Sequence, residues 1–223
     1  MNYLSPLIVS TQLSPEKLDY LQGKLEQLGN HYQVEPATLH HYQKKIWAQH
    51  QEPHRHYHNL SHLYNLLVLL EQQTAQQPSL LELAIWYHDY IYDPNQQDNE
   101  AQSAQWAQQE WQAYLSLPQQ QQLHCYITAT TQHQPLSATA DELLFLDLDL
   151  SILAAAPSIY KAYSQAIEKE YTTVYPLELY RKGRQKVLQT FLERSQLYYS
   201  NFFLEHYEAA ARANLQAEIQ QLQ

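Results

Sequence analysis

Apolar residues recur at helical spacing along most of this chain, and this period constrains its fold more than any other feature. The segment "NLSHLYNLLVLLEQQ" carries leucines three or four residues apart, at Leu60, Leu63, Leu66, Leu67 and Leu70. Such spacing places apolar side chains on one face of a helix. Further segments of this kind open at Pro15, Pro78, Pro118 and Pro176. Clear strand signals are absent, so the sequence predicts an all-α fold of roughly nine to eleven helices.

The chain is predicted to form one domain over residues 1–223, because no linker is long enough to divide its 223 residues. Within it, a core of about 55–150 carries the chemically interesting residues, and C-terminal helices over 157–221 pack on that core. Only three glycines occur in the whole chain. A glycine-rich phosphate loop therefore cannot be built, which argues against a Rossmann or P-loop nucleotide site.

Composition limits the partners and the compartment. The formal net charge of −10 disfavours binding to a nucleic-acid polymer, because phosphate contacts need clustered Lys and Arg. A single cysteine, Cys125, excludes an internal disulfide and is typical of a reducing cytosol. No apolar run approaches the ~20 residues that span a bilayer, and the N-terminal "MNYLSPLIVS" lacks the features of a signal peptide. We therefore expect a cytoplasmic protein with no membrane partner.

Histidines and aspartates stand inside three apolar segments. His58 and His62 lie in "RHYHNLSHL", four residues apart, which on a helix would place them on one face. The pair His88-Asp89 ends "LAIWYHD", and Asp147 and Asp149 lie in "LFLDLDLSIL". Burying an aspartate is costly unless a cation or a hydrogen-bond network compensates its charge. A divalent Zn, Mn, Fe or Co ion held by imidazole and carboxylate ligands would meet this need.

These residues resemble the H…HD…D signature of the HD superfamily of metal-dependent phosphohydrolases. The matching positions are His62, His88, Asp89 and Asp149. "YHNLSH" is similar to the Y-H-N-x-x-H motif of the cyclic-nucleotide phosphodiesterases within that class, and "DLDLS" to their A-D-L-S. The resemblance implies a single-domain HD-type helical bundle. It also implies four metal-site residues at the matching positions and, in His58, an acid that protonates the leaving oxygen.

Over most of its length the chain is more similar to an uncharacterised bacterial family of predicted HD phosphohydrolases. The stretches that carry this likeness are "RHYHNLSHL", "WYHDYIYDP", "DNEAQSA", "FLDLDLSIL", "GRQKVLQTFLERSQLY" and "ARANL". One departure from the phosphodiesterases concerns the fourth residue after the HD pair. They have a further histidine there and this chain has Tyr92. The resemblance to their second-metal and phosphate-binding residues therefore does not extend to this position.

The implied chemistry is hydrolysis of a small phosphate ester by a metal-activated water. His58 would act as the general acid, and Asp89 would bridge two ions if a second is bound. His133 is the candidate for that second site, with His124 behind it. Asp147 is the alternative to Asp149 as the last ligand.

Other interpretations stay open. His58 could instead orient a neighbouring side chain, and an isolated histidine is more often structural than a ligand. A non-catalytic metal- or ligand-binding HD module would keep the ligands without needing a proton donor at His58. A di-iron HD oxygenase would need two more histidine ligands before Asp149, and only His124 and His133 are available.

The expected partner is a small anionic phosphorylated molecule, and a nucleotide is one candidate. The tyrosines around the motif would line its cleft and favour a planar base: Tyr57, Tyr87, Tyr90 and Tyr92. Tyr92 and Arg184 are the candidate substrate-binding residues. The competing interpretation makes the tyrosines core aromatics, and it places Arg184 on a solvated helix face with its basic neighbours.

Overall fold

A computed structural model describes residues 7–223, and every regular element in that range is helical. The N-terminal segment "MNYLSPLIVS", which we predict not to be a signal peptide, lies partly outside this range, because residues 1–6 are not described. The helices are α1 Pro15–His31, α2 Pro36–His50, α3 Leu60–Leu70, α4 Pro78–Tyr87, α5 Asn99–Trp111, α6 Leu117–Ala129, α7 Ala140–Asp149, a 3₁₀-helix Leu150–Ala154, α8 Pro157–Thr172, α9 Leu177–Glu193, α10 Asn201–His206 and α11 Glu208–Leu222. The all-α prediction is confirmed; the single-domain division stays a prediction.

Helix starts follow the local chemistry of the sequence. Proline occupies the first turn of α1, α2, α4, α6 and α8, where its missing N–H would have no intrahelical partner. Side-chain caps open other helices: Asn59 accepts from the Ser61 N–H, and Thr139 accepts from the Glu142 N–H. These caps satisfy backbone donors that the first turn leaves free.

Three apolar helices, α3, α4 and α7, pack against one another at the centre of the core. In α4, all but three of the ten residues are buried, including Trp86, as expected for a helix that is apolar nearly all round. The core also takes residues from the C-terminal helices, among them Tyr163 of α8 and Leu188 of α9. The central trio therefore fixes the relative positions of "LSHL", the His88-Asp89 pair and "LDLDL".

Two helices differ from the sequence-based expectation. His58 does not share a helical face with His62, because the Asn59 cap starts α3 at Leu60 and leaves His58 in the preceding loop. Helix α6 ends at Ala129 rather than at the later proline. The chain then turns through His133, whose φ of 48° lies in the left-handed region.

Within residues 7–223, no single helix is long and apolar enough to cross a membrane. One bent pair, Ala140–Ala154 and Pro157–Thr172, meets the length and composition criteria together, with an angle of 104° between its halves.

Candidate metal centre

Three helices bring His62, His88 and Asp149 to one point. His62 lies in the first turn of α3, His88 directly follows α4, and Asp149 ends α7. The Nε2 atoms of the two histidines lie 3.1 Å apart, and Oδ1 of Asp149 lies 3.2 Å from Nε2 of His62 and 3.6 Å from Nε2 of His88. Because each side chain offers one ligand atom within 4.8 Å of the others, this group is suited to hold a metal ion.

Asp89 joins the same cluster from the other side of the histidine pair. Its Oδ2 lies 2.9 Å from Nε2 of His88 and 3.6 Å from Nε2 of His62. The structure thus brings together all four residues that the sequence proposed for the metal site, although 87 positions separate His62 from Asp149.

The cluster is buried and attracts positive charge. The two histidine side chains are 1% exposed, and those of Asp89 and Asp149 are 15% and 10% exposed. Burial would raise the pKa of both carboxyl groups, but the neighbouring histidines outweigh it and hold each pKa below its usual range. Burial lowers the pKa of His62, whereas the adjacent carboxylates overcome burial at His88 and raise its pKa well above the ordinary value. The carboxylates therefore stabilise a cation, a proton or a metal ion, at the imidazole nitrogens.

The hydrogen bonding of His88 fits a metal ligand. Its Nδ1 lies 3.0 Å from the carbonyl oxygen of Ile85, and donation there leaves the Nε2 lone pair directed at the cluster. Nδ1 of His62 is buried with no hydrogen-bond partner among residues 7–223. Two imidazoles and carboxylate oxygens match the ligands of Zn, Mn, Fe or Co. The donor set thus suits a divalent ion.

His58 lies beside the cluster, in a loop fixed by Glu170 of α8. One oxygen of Glu170 accepts the backbone N–H groups of His56, Tyr57 and His58 at 2.7, 2.6 and 3.1 Å. The other oxygen lies 2.7 Å from Nδ1 of His58 and accepts the hydroxyl of Tyr92 at 2.8 Å. Burial would lower the pKa of His58, but Glu170 and Asp89 outweigh it and raise that pKa. The arrangement thus favours a protonated imidazole next to the ion site.

Glu170 is a functional candidate that sequence analysis missed. It continues the apolar face of α8 formed by Tyr160, Tyr163 and Ile167, and a glutamate on such a face is the signal that could have identified it. Arg55 was also missed. Its guanidinium donates to the carbonyl oxygens of His58, Asp89 and Tyr90, so it ties the His58 loop to the end of α4.

The remaining predicted histidine and aspartate positions separate into two groups. His133 reaches the cluster, with its Nε2 3.0 Å from Oδ2 of Asp149. Among the described residues that line the cavity at this site, His124 does not occur. Asp147 points elsewhere and accepts the backbone N–H groups of Tyr199 and Ser200 at 2.8 and 2.7 Å. These hydrogen bonds lower the pKa of the Asp147 carboxyl group, but burial outweighs them and raises that pKa to about 6. Asp149 is the residue that faces the histidines.

Two members of the cluster, Asp89 and Asp149, line a cavity of about 460 Å³ together with His58 and His133. Two of the four tyrosines expected to line it, Tyr57 and Tyr92, do so. The expectation is wrong for Tyr87 and Tyr90, because Tyr87 donates to Glu110 and Tyr90 packs on Trp106. Their places on the wall are taken by two tyrosines of α8, Tyr163 and Tyr171.

Tyr92 and Arg184, the two candidate substrate-binding residues, both line the cavity. The Tyr92 ring lies 4.2 Å from that of His58, between ring centres, and its hydroxyl is engaged by Glu170. Arg184 is not on a solvated helix face: its side chain is only 10% exposed, and it donates two hydrogen bonds to Glu218 of α11.

Comparison of the chain with family models, curated proteins and solved structures gave no match. Membership of the HD superfamily therefore stays a prediction that rests on the motifs. What the geometry establishes is coarser: an all-helical chain carries a buried His62–His88–Asp149 group that is suited to hold a metal ion.

Proposed function

We propose that this chain is a metal-dependent phosphohydrolase of the HD type that acts on a small phosphate ester. The observation that carries the proposal is the position of His58. A protonatable imidazole, 19% exposed and hydrogen-bonded to Glu170, lies in the same cavity as the ion-binding group. A non-catalytic metal-binding module would have no need of such a donor.

The contacts suggest a role for each residue of the site. His62, His88, Asp89 and Asp149 would hold the ion, which when bound polarises a phosphoryl oxygen and lowers the pKa of water. In hydrolysis, the oxygen of water forms a bond to phosphorus as the bond between phosphorus and the ester oxygen breaks. His58 would give its proton to that departing oxygen, so that an alcohol and inorganic phosphate leave.

Tyr92 and Glu170 act on His58 rather than on the substrate directly. Glu170 holds the Nδ1 side of the imidazole, which leaves Nε2 as the nitrogen able to donate into the cavity. His133 holds the second oxygen of Asp149. This arrangement supports an orienting role for His133 as well as the second-metal role predicted from the sequence.

The test combines metal analysis with phosphate release over a panel of nucleotides, sugar phosphates and simple esters. Purified protein is expected to retain a divalent ion and to release phosphate from at least one ester. His58→Ala should keep the ion and lose about 10²- to 10⁴-fold in turnover, whereas His62→Ala should lose both. Equal metal loss in the two variants would show that His58 is a ligand and not the acid.

A further inference from the structure

The cavity next to the ion-binding group has an uneven distribution of charge. Three carboxylates line it, those of Asp89, Asp149 and Glu100. Among the described residues its lining includes two arginines and no lysine. Any further negative charge on a ligand would therefore have to be balanced by those two arginines or by a protonated His58.

Both arginines donate hydrogen bonds within the chain, but among the described residues only Arg184 is paired with a carboxylate. Arg184 donates from Nε and from one terminal nitrogen to the two oxygens of Glu218, at 2.8 and 3.1 Å. Arg194 donates to the backbone carbonyl oxygens of Gln132 and His133, at 2.7 and 2.9 Å. The charge of Arg184 is thus paired with a carboxylate on α11. Arg194 holds the 130–134 turn through its two terminal nitrogens, and its buried Nε has no hydrogen-bond partner among the described residues.

Part of the cavity lining is an apolar wall. Side chains of the 3₁₀-helix, α8 and α9 form it, and its main members are Ile152, Leu153, Ile167, Val187, Leu188 and Phe191. Most of these are packed into the core, so the wall is a fixed surface. Desolvating a charged group against such a wall would be costly, whereas an apolar group would gain by burial.

We infer that the ligand of this cavity is a phosphate monoester whose single phosphoryl group lies at the ion-binding residues and whose alcohol part is uncharged and mainly apolar. Nucleoside diphosphates and triphosphates are disfavoured, because three carboxylates line the cavity and the charge of Arg184 is already paired with Glu218. This inference rests on the proposed function, since it assumes that the phosphoryl group is the one recognised at the ion.

The binding test uses alkylphosphonates, whose carbon–phosphorus bond is not hydrolysed, with Mn²⁺-loaded protein in calorimetry. Affinity should rise from ethyl- to butyl- to hexylphosphonate, by at least 10-fold overall, because each buried CH₂ contributes up to about 3- to 4-fold. 6-Phosphonohexanoate, which replaces the terminal methyl of hexylphosphonate by a carboxylate, should bind at least 10-fold more weakly than hexylphosphonate. A flat series, no binding, or equal affinity for the carboxylate-tailed probe would overturn the inference.

A matched pair of variants on α9 locates the apolar wall. Val187 lines the cavity and is 47% exposed, whereas Leu179 is 56% exposed on the same helix and does not line it. Val187→Asp should lower the ratio of hexyl- to ethylphosphonate affinity at least 5-fold, and Leu179→Asp should leave it unchanged. Because both positions are well exposed, neither change is expected to unfold the chain. Equal ratios in both variants would place the alkyl group elsewhere and refute the assignment.

Turnover of the corresponding alkyl phosphates separates this inference from the proposed function. If hexylphosphonate binds as expected but no ester in the series releases phosphate, hydrolysis is refuted and the cavity assignment stands. If esters are hydrolysed at rates independent of chain length and the phosphonate series is flat, hydrolysis stands and the cavity assignment is refuted.

Discussion

Glu170 makes more hydrogen bonds to the loop that carries His58 than Arg55 does. It is fully buried, and its two oxygens accept five hydrogen bonds, from three backbone N–H groups, one imidazole and one phenol. Burial would raise the pKa of its carboxyl group, but His58 and the backbone donors lower it to about 2. A carboxyl group whose pKa is lower in the folded than in the unfolded chain stabilises the fold when ionised.

We expect Glu170→Gln to lower the free energy of unfolding at pH 7 by about 3 kcal/mol, from a shift between ~4.5 and about 2. The contribution of the wild-type carboxylate is complete above the unfolded pKa and is lost as pH falls through the folded one. The difference between the two proteins should therefore shrink on going from pH 7 to pH 3. Urea unfolding at both pH values measures it.

Glu193→Gln is the matched control, because Glu193 is exposed at the end of α9. Its unfolding free energy should stay within about 0.5 kcal/mol of the wild type. A difference between wild type and Glu170→Gln that is the same at pH 3 and pH 7 would mean that the charge of Glu170 is not what stabilises the loop.

The two aspartates of helix α7 have different roles. Residues two apart on a helix are rotated by about 200°, so Asp147 and Asp149 point to nearly opposite sides. Asp147 is fully buried and holds the backbone before α10 through Tyr199 and Ser200. Asp149 faces the histidines of α3 and α4.

This division predicts opposite consequences for two similar changes. Asp147→Ala should lower the free energy of unfolding by about 1–2 kcal/mol, because two half-buried backbone donors lose their acceptor, and it should retain the metal. Asp149→Ala should weaken metal binding at least 10-fold. Urea unfolding and elemental analysis of both variants measure the outcome, and metal loss from Asp147→Ala with retention by Asp149→Ala would reverse the assignment of ligands.

The same helix illustrates which parts of the fold and site could be predicted from sequence. Sequence could predict the helical period of α7 and the order of His62, His88-Asp89 and Asp149, because helical spacing and apolar surroundings are local properties. Sequence could not choose between Asp147 and Asp149, since either carboxylate in "LDLDL" can face a partner until the neighbouring helices are placed. Glu170 was missed for a similar reason: its partner His58 lies 112 residues away.

The sequence-based prediction was wrong for one loop residue, His58. The i,i+4 spacing of His58 and His62 suggested a shared helical face, but the Asn59 side chain competes for the first backbone donors and starts the helix after His58. The outcome places His58 on the loop that Glu170 holds.

At the scale of the whole molecule, the ion-binding group joins three helices that pack at the centre of the core. An ion that binds the folded chain and not the unfolded one stabilises the fold by mass action, by about 2.7 kcal/mol at 100 times its Kd. For a chain of this size that corresponds to a rise in Tm of about 5–10 °C.

We therefore expect a chelator to lower the Tm by about this amount and readdition of the ion to restore it, as followed by calorimetry. Asp149→Asn should show a much smaller change, because one ligand is lost while the side-chain shape is kept. A Tm that is insensitive to chelation in protein shown to have lost its metal would argue that the ion does not bridge the three helices.

The separation of His58 and Glu170 along the chain also determines how long after His58 the residue that holds it is synthesised. The ribosome adds roughly 5 to 20 residues per second, so the carboxylate that holds His58 emerges roughly 6 to 20 s after it, given their separation of 112 residues. The residues of the ion-binding group are all made before Glu170. The residues of the ion-binding group can thus be present in a nascent chain while the loop that carries His58 still lacks its anchor, and that loop is fixed only after Glu170 of α8 has been made.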